Sequence, residues 1–284
     1  MSISSETLTG YQRAEFKKAA KRRVFLFVLQ LLIAVPAAAS VVVTDDFWVY
    51  VLAIAGFLLL ILWWIAFAIY QRARSAAQAA RRAALLIGGL GGTLSPDATL
   101  AFRRAMTVTE GTAANHEKSD YYATSFPVGP SRLGEMIEES AFYSANLQRI
   151  SSFVMLAVLL FFAIAFAIVA FAALPFIGHA TTMTILRIFL AVLVFALSSD
   201  VLGACLSHRA AARDIEAVRN GLQLARRDGF RLTDVLLLLG EYNVAVETAP
   251  ESVPYAYEVA EKGLNKLWAE YLKNIQQLSP KVPE

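Results

Sequence analysis

The sequence predicts an all-α, polytopic membrane protein: four transmembrane helices arranged as two hairpins, with a helical cytoplasmic module. Three observations carry this reading. Of the 284 residues, 57% are hydrophobic and 17% charged, against about 45–50% and about 25% in soluble domains. The apolar excess falls in four runs, residues 24–43, 47–70, 153–177 and 184–207, each long enough to cross a hydrocarbon core of about 30 Å. No stretch shows the period-two alternation of a half-buried strand. Four such runs buried as core helices would leave too little polar sequence to cover them. The composition excludes disorder, a basic nucleic-acid-binding tail and an ordinary cytosolic enzyme, and the lone Cys205 excludes a disulfide framework and a multi-cysteine metal site.

In chain order, residues 1–23 form a basic leader carrying Arg13, Lys17, Lys18, Lys21, Arg22 and Arg23. Residues 24–70 form the first hairpin, whose turn around Asp45 and Asp46 is too short to hold a domain. Its first run imitates a signal peptide, with Ala37-Ala38-Ala39-Ser40 at the place of a cleavage site. The long polar leader and the continuation through Val43 favour an uncleaved span. Residues 71–150 form the first large inner segment, 151–207 the second hairpin and 208–284 the C-terminal inner segment. Basic residues crowd the inner ends of the spans, including Arg72, Arg74, Arg81, Arg82, Arg209 and Arg213, whereas the outer turns hold none apart from the nearby Arg187. The positive-inside rule then places both termini in the cytoplasm. The net charge of +3 reflects this bias rather than an acidic partner, and no nucleic acid is an expected partner.

Within the inner segments, the Ala- and Arg-rich stretch 71–87 continues the second span as a helix and stops at the Gly88-Gly89-Leu90-Gly91-Gly92 cluster. That spacing fits neither nucleotide-binding fingerprint and reads as a helix stop or hinge. Ser95-Pro96-Asp97 caps a helix expected to end near Gly111, followed by a polar loop over 112–120 and a rigid turn over 126–130. A helix from Ser131 carries apolar residues at Leu133, Met136, Ile137, Ala141 and Leu147 and runs on into the third span. The last segment holds a charged helix over 208–228, a capped helix from Thr233, a break at Pro250 and Pro254, and a final helix over 255–277. In that final helix Tyr257, Leu264, Leu267, Trp268 and Tyr271 supply packing surface.

Signals for catalysis are absent. His116, His179 and His208 lie apart, no metal-ligand spacing or nucleophile elbow occurs, and no cofactor is expected. Cys205 and His208 sit one helical turn apart without a third orienting group, so packing explains them. Adjacent Glu138 and Glu139 point in different directions on a helix and make no paired acid site. Asp200 is the most informative charge, because a carboxylate within a span costs about 2.5–3.5 kcal/mol and faces a bundle interior or water. At about 1.5 Å per residue, Asp200 and Gln30 each lie roughly 10–12 Å from the inner edge, where they meet across the bundle, line an aqueous path, or leave Asp200 at the interface. Ser199, Gly203 and Ser207 recur at four-residue spacing beside Asp200 and permit close helix approach. Arginines of the inner segments, including Arg72, Arg81, Arg103, Arg104, Arg132, Arg213, Arg219, Arg226 and Arg227, are candidates for an anion or nucleotide pocket, although positive-inside topology explains many of them.

The two hairpins, the segment DYYATSFPVGPSRLGEMIEESAFYSANLQR at 120–149 and EYNVAVETAPESVPYAYEVAEKGLNKLW at 241–268 together resemble the prokaryotic SMODS-associated four-transmembrane family of pore-forming effectors. The resemblance implies an antiphage effector for abortive infection in the bacterial inner membrane, and the residues themselves give no reason to expect an enzyme. A nucleotide second messenger, a cyclic oligonucleotide, acts on the cytoplasmic module, and the spans then oligomerise or open to permeabilise the lipid bilayer. Tyr121, Tyr122, Arg132 and Arg149 are then the candidates for ligand binding or signal coupling. Four spans leave little room for a pore within one copy, so a homo-oligomer is expected. Two other classes fit the residues alone: a constitutive ion-channel or transporter subunit using Asp200 and Gln30, and a membrane scaffold that binds a protein partner.

Overall fold

Ser5–Ala39 winds into one helix (α1), and Asp45 opens the next, Asp46–Leu90 (α2), by accepting from the backbone N–H groups of Phe47 at 2.9 Å and Trp48 at 3.4 Å. The computed structural model describes residues 3–40, 43, 45–119, 121–168 and 201–278. Among these, every regular element is helical: α3 is Pro96–Ala105, α4 Glu110–Ala114, α5 Pro130–Ile168, α6 Leu202–Arg227, α7 Leu232–Thr248 and α8 Ala256–Leu278. The expected all-α class is therefore found.

α1 and α2 run antiparallel. Ala73, Ala77, Ala80 and Ala84 recur every three or four residues on α2 and are fully buried, so small side chains bring the two helices together. Near the chain's start Ile3, Leu8 and Tyr11 pack with Ala80, Ala84, Phe102 and Ala113; further along, Ala19, Leu26 and Leu29 pack with Ala66, Tyr70 and Ala73. α5 and α6 make a second pair. Together with Leu85 and α7 they enclose the main core, which includes Leu133, Ile137, Ile215, Leu222, Val235 and Tyr242. α8 caps this core through Leu264 and Trp268, which meet Phe142.

α2 ends three residues later than the alanine-rich stretch suggests, at Leu90, with Gly91 and Gly92 at positive φ. The glycine cluster is thus a helix stop, and it has a second use. A Cβ on Gly89 would lie 2.7 Å from Leu133 Cα, so only glycine lets the start of α5 cross the end of α2 here. Arg132 fixes that crossing, donating from Nε to the Gly88 carbonyl at 2.8 Å and from Nη1 to the Phe126 carbonyl at 2.9 Å.

Some expected boundaries shift for identifiable reasons. The helix that begins at Pro96 stops at Ala105 rather than near Gly111, because fully buried Glu15 takes the backbone N–H of Thr107 (2.5 Å) and of Val108 (2.8 Å) and the Thr107 hydroxyl (2.6 Å). Part of the expected 112–120 loop is then helical, since Thr109 caps α4 by accepting from Thr112 N–H at 3.3 Å. α7 starts at Leu232 behind Arg231 with no side-chain cap, so Thr233 is inside the helix rather than its cap. Of the expected packing residues on α8, Leu264 and Trp268 are buried, but Tyr257 and Leu267 are exposed.

Two stretches stand out by what they fail to bury. The apolar window of α2 is only 6% buried and that of α5 only 22%, whereas a core helix of a soluble protein would be mostly buried. Phe57, Leu58, Trp64 and Ile65 on α2, and Phe153, Phe161, Ile164 and Ile168 on α5, point outward. The second half of α1 does the same with Phe25, Phe27, Leu31 and Val35. Patches of this extent mark a membrane or a partner surface, and α2 and α5 are long and apolar enough to cross a membrane. Residues 169–200, with most of the fourth expected span, lie outside the described residues.

Candidate functional site at the base of the apolar belt

Each apolar stretch begins at one level of the fold. On α1 exposure starts at Val24 and Phe25, on α2 it ends at Ile69, and on α5 it starts at Phe153. The 249–255 loop between α7 and α8, broken by Pro250 and Pro254, docks on the helices at that level. Arg23 of α1 donates from Nη1 to the Ser252 carbonyl at 2.8 Å. Arg74 of α2 donates from Nη2 to the Glu247 carbonyl at 3.1 Å and also to that of Ala249. From α5, Gln148 donates from Nε2 to the Pro250 carbonyl at 2.8 Å, and Ser151 Oγ accepts from Val253 N–H at 2.9 Å. Glu251 hydrogen-bonds the Tyr70 hydroxyl and faces Arg23 and Arg74; burial raises its carboxyl above the ordinary range, against the pull of those cations. Buried His208 brings in α6, its Nδ1–H donating to Gln148 Oε1 at 2.5 Å in the tautomer that bond requires.

The loop therefore forms a collar that ties the polar half of the molecule to α1, α2 and α5 where they become apolar, and to α6 through Gln148. Prolines suit it: they cannot continue a helix, and they leave carbonyls free to accept from the surrounding side chains. Tyr255 closes the loop at φ 64°, a conformation unfavourable for a side chain.

Above the collar lies a buried charge network. Arg226 of α6 bonds Glu135 at 2.7 Å and fully buried Glu138 at 2.6 Å, both on α5. Tyr271 of α8 donates to the other oxygen of Glu138 and accepts from Gln223 at 3.0 Å. Arg226 also faces an aromatic ring, its guanidinium 5.2 Å from the centre of the Phe230 ring. Three helices are thus tied through one carboxylate. Glu139 turns the other way, as adjacent positions on a helix require, and accepts from Ala123 N–H at 2.8 Å.

Burial pushes the Glu139 carboxyl up to about 7, with Glu135 adding to the rise and the Ala123 hydrogen bond and Lys118 opposing it. A folded-state value above the unfolded one means that the folded protein holds the extra proton. Its contribution is fully present below the unfolded value and is lost as pH rises through about 7. Thermal unfolding of Glu139→Gln should accordingly lose the part of the stability that the parent gains between pH 7.5 and 5; comparing the two variants cancels the opposite trend from buried, neutral His208.

The sequence-derived candidates separate into distinct places. Tyr121 and Tyr122 sit together with ring centres 4.8 Å apart, and Gln12 Nε2 donates to Tyr121 Oη at 3.5 Å. Burial pushes the Tyr121 hydroxyl up to about 12 and that of Tyr122 well above its ordinary value. Near this pair, buried Arg81 lies 5.1 Å from the Tyr242 ring centre and reaches Asn243 at 3.4 Å and Glu247 at 3.8 Å. Arg132 does not join them, being spent on the α2–α5 crossing. Arg149 is on another face, paired with Glu216 at 3.2 Å. Gln30 is half-buried, Gly203 half-buried and Ser207 exposed, while Ser199 and Asp200 lie outside the described residues. The face of α6 turned to α5 instead runs through Cys205, His208, Ala212 and Ile215. Cys205 and His208 take separate partners, the Ser152 carbonyl at 3.6 Å and Gln148.

Glu138 and the collar's Arg23, Arg74, Gln148 and Ser151 were not singled out as site residues in the sequence, and Arg81 and Arg226 stood there only among the many arginines considered for an anion pocket. Their one shared signal is the placement of long polar side chains on otherwise buried faces, such as Gln148 and Ser151 beside Leu147. The fold and site define an all-helical protein with an apolar belt, two helices able to cross a membrane, and a polar module tied to that belt by a proline-containing collar. No family model, no curated protein and no solved structure matches the chain.

Proposed function

We propose that the protein is a multi-pass inner-membrane effector of antiphage defence, in which a signal received by the helical cytoplasmic module is passed through the collar to four spans. Those spans permeabilise the bilayer as an oligomer. The observation that carries this reading is the 249–255 loop, which belongs to the module yet is hydrogen-bonded to α1, α2 and α5 where their apolar stretches begin. A shift of α7 or α8 moves this loop, and the loop holds the ends of the spans. A purely structural anchor would not need continuous helices such as α2 and α5 running from the module into the belt. The family resemblance of the 120–149 and 241–268 segments favours a cyclic oligonucleotide as the signal, with Tyr121 and Tyr122 as contacts. Both termini on the cytoplasmic side follow from the positive-inside distribution.

Reconstituted full-length protein in dye-loaded vesicles of phosphatidylethanolamine and phosphatidylglycerol tests this. Synthetic cyclic di- and trinucleotides are added in turn, and at least one should trigger release that rises more steeply than linearly with protein density. Release at the same rate with and without every nucleotide contradicts the proposal and favours a constitutive channel.

A further inference from the structure

We infer that the groove between α5 and α6 binds the phosphate headgroup of an anionic phospholipid. The groove encloses about 440 Å³, room for a glycerophosphate rather than a few waters of about 30 Å³ each. Arg149 and Phe153 of α5 face Arg209, Arg213 and Glu216 of α6 across it; spacings of three and four residues put each set on one stripe. Glu216 is already shared, by Arg149 at 3.2 Å and Arg219 at 3.1 Å. Arg209 and Arg213 are exposed and have no carboxylate partner among the described residues. Among the described residues Arg213 donates only from Nε, to the Arg209 carbonyl at 3.4 Å, so the groove holds two guanidiniums that are free of any carboxylate there and suited to phosphate oxygens.

Its position selects a lipid over a soluble anion. Phe153, 67% exposed, lines the groove and is also the first outward apolar residue of the α5 belt. A ligand seated here has its charge among arginines and an apolar continuation beside the belt, which fits a headgroup with an acyl chain. The inference needs the membrane association of the belt but not the defence role, so it stands or falls apart from the identity of any signal.

The test uses the full-length protein in a neutral detergent, followed by thermal unfolding and native mass spectrometry. Phosphatidylglycerol should raise the melting temperature by several degrees, through preferential binding to the folded state, and should be retained as a discrete adduct; phosphatidylcholine should do neither. Arg209→Gln with Arg213→Gln should abolish both effects, and Ala217→Trp, which fills the groove while leaving every charge in place, should do the same. Equal shifts with the two lipids, or full retention of the adduct in a folded variant of either kind, would overturn the inference. An equal shift with inorganic phosphate or a cyclic dinucleotide at the same concentration would also overturn it, in favour of a soluble-anion site.

Discussion

Replacing Arg226 by alanine is expected to destabilise the polar module by about 3–5 kcal/mol, the usual consequence of leaving a buried charge without its partner. Glu138 is fully buried and has two polar partners, Arg226 and Tyr271. Without the guanidinium, its carboxylate must either remain charged in an apolar setting or take up a proton. Glu135, half-buried beside it, loses the same cation but can turn to Thr124, which already donates to it at 2.8 Å. The melting temperature of the purified protein should fall by about 10 °C, given the usual few degrees per kcal/mol for a chain of this size. Adding Glu138→Gln to Arg226→Ala should restore part of the loss, because the glutamine removes the stranded charge and keeps an acceptor for Tyr271. A single variant that melts within a degree of the parent would mean that Glu138 is not buried as a charge.

Loosening the collar should have a different signature. Arg74→Ala with Ser151→Ala removes the donor to the Glu247 and Ala249 carbonyls and the acceptor for Val253 N–H. Each lost hydrogen bond costs about 0.5–3 kcal/mol depending on charge, so the module remains folded. Coupling between sites is worth about 1–3 kcal/mol, or roughly 5–150-fold. Nucleotide-triggered dye release should therefore fall by at least about tenfold while nucleotide binding to the protein is unchanged. A parallel loss of binding and release would place these residues in the sensing site instead.

How much of this was legible beforehand follows from the length scale of each signal. Helix class and the continuity of α2 and α5 were visible because apolar period and alanine content extend over many residues. The separate directions of Glu138 and Glu139 were visible for the same reason, since helical geometry fixes them locally. Glu15 stopping α3 was not, because its three acceptor bonds reach across 92 and 93 positions of sequence. Arg226 likewise looked like one more inner arginine until α5 and α6 brought it to Glu135 and Glu138. Arg132 has the composition of an anion ligand, yet two backbone carbonyls claim it. The proline break was readable; that it would lie against the ends of three helices was not, since nothing local specifies docking.

The most direct measurement of the account fixes the collar reversibly. In a Cys205→Ala background, Ser151→Cys and Val253→Cys put thiols on two residues joined by a hydrogen bond of 2.9 Å from the Val253 backbone N–H to the Ser151 hydroxyl, for joining by a disulfide or a short cleavable bis-thiol crosslinker. In the vesicles, oxidation should block nucleotide-triggered release without displacing the nucleotide, and reduction should restore release to its starting rate. Triggered release that proceeds equally with the collar crosslinked and reduced would contradict the coupling role.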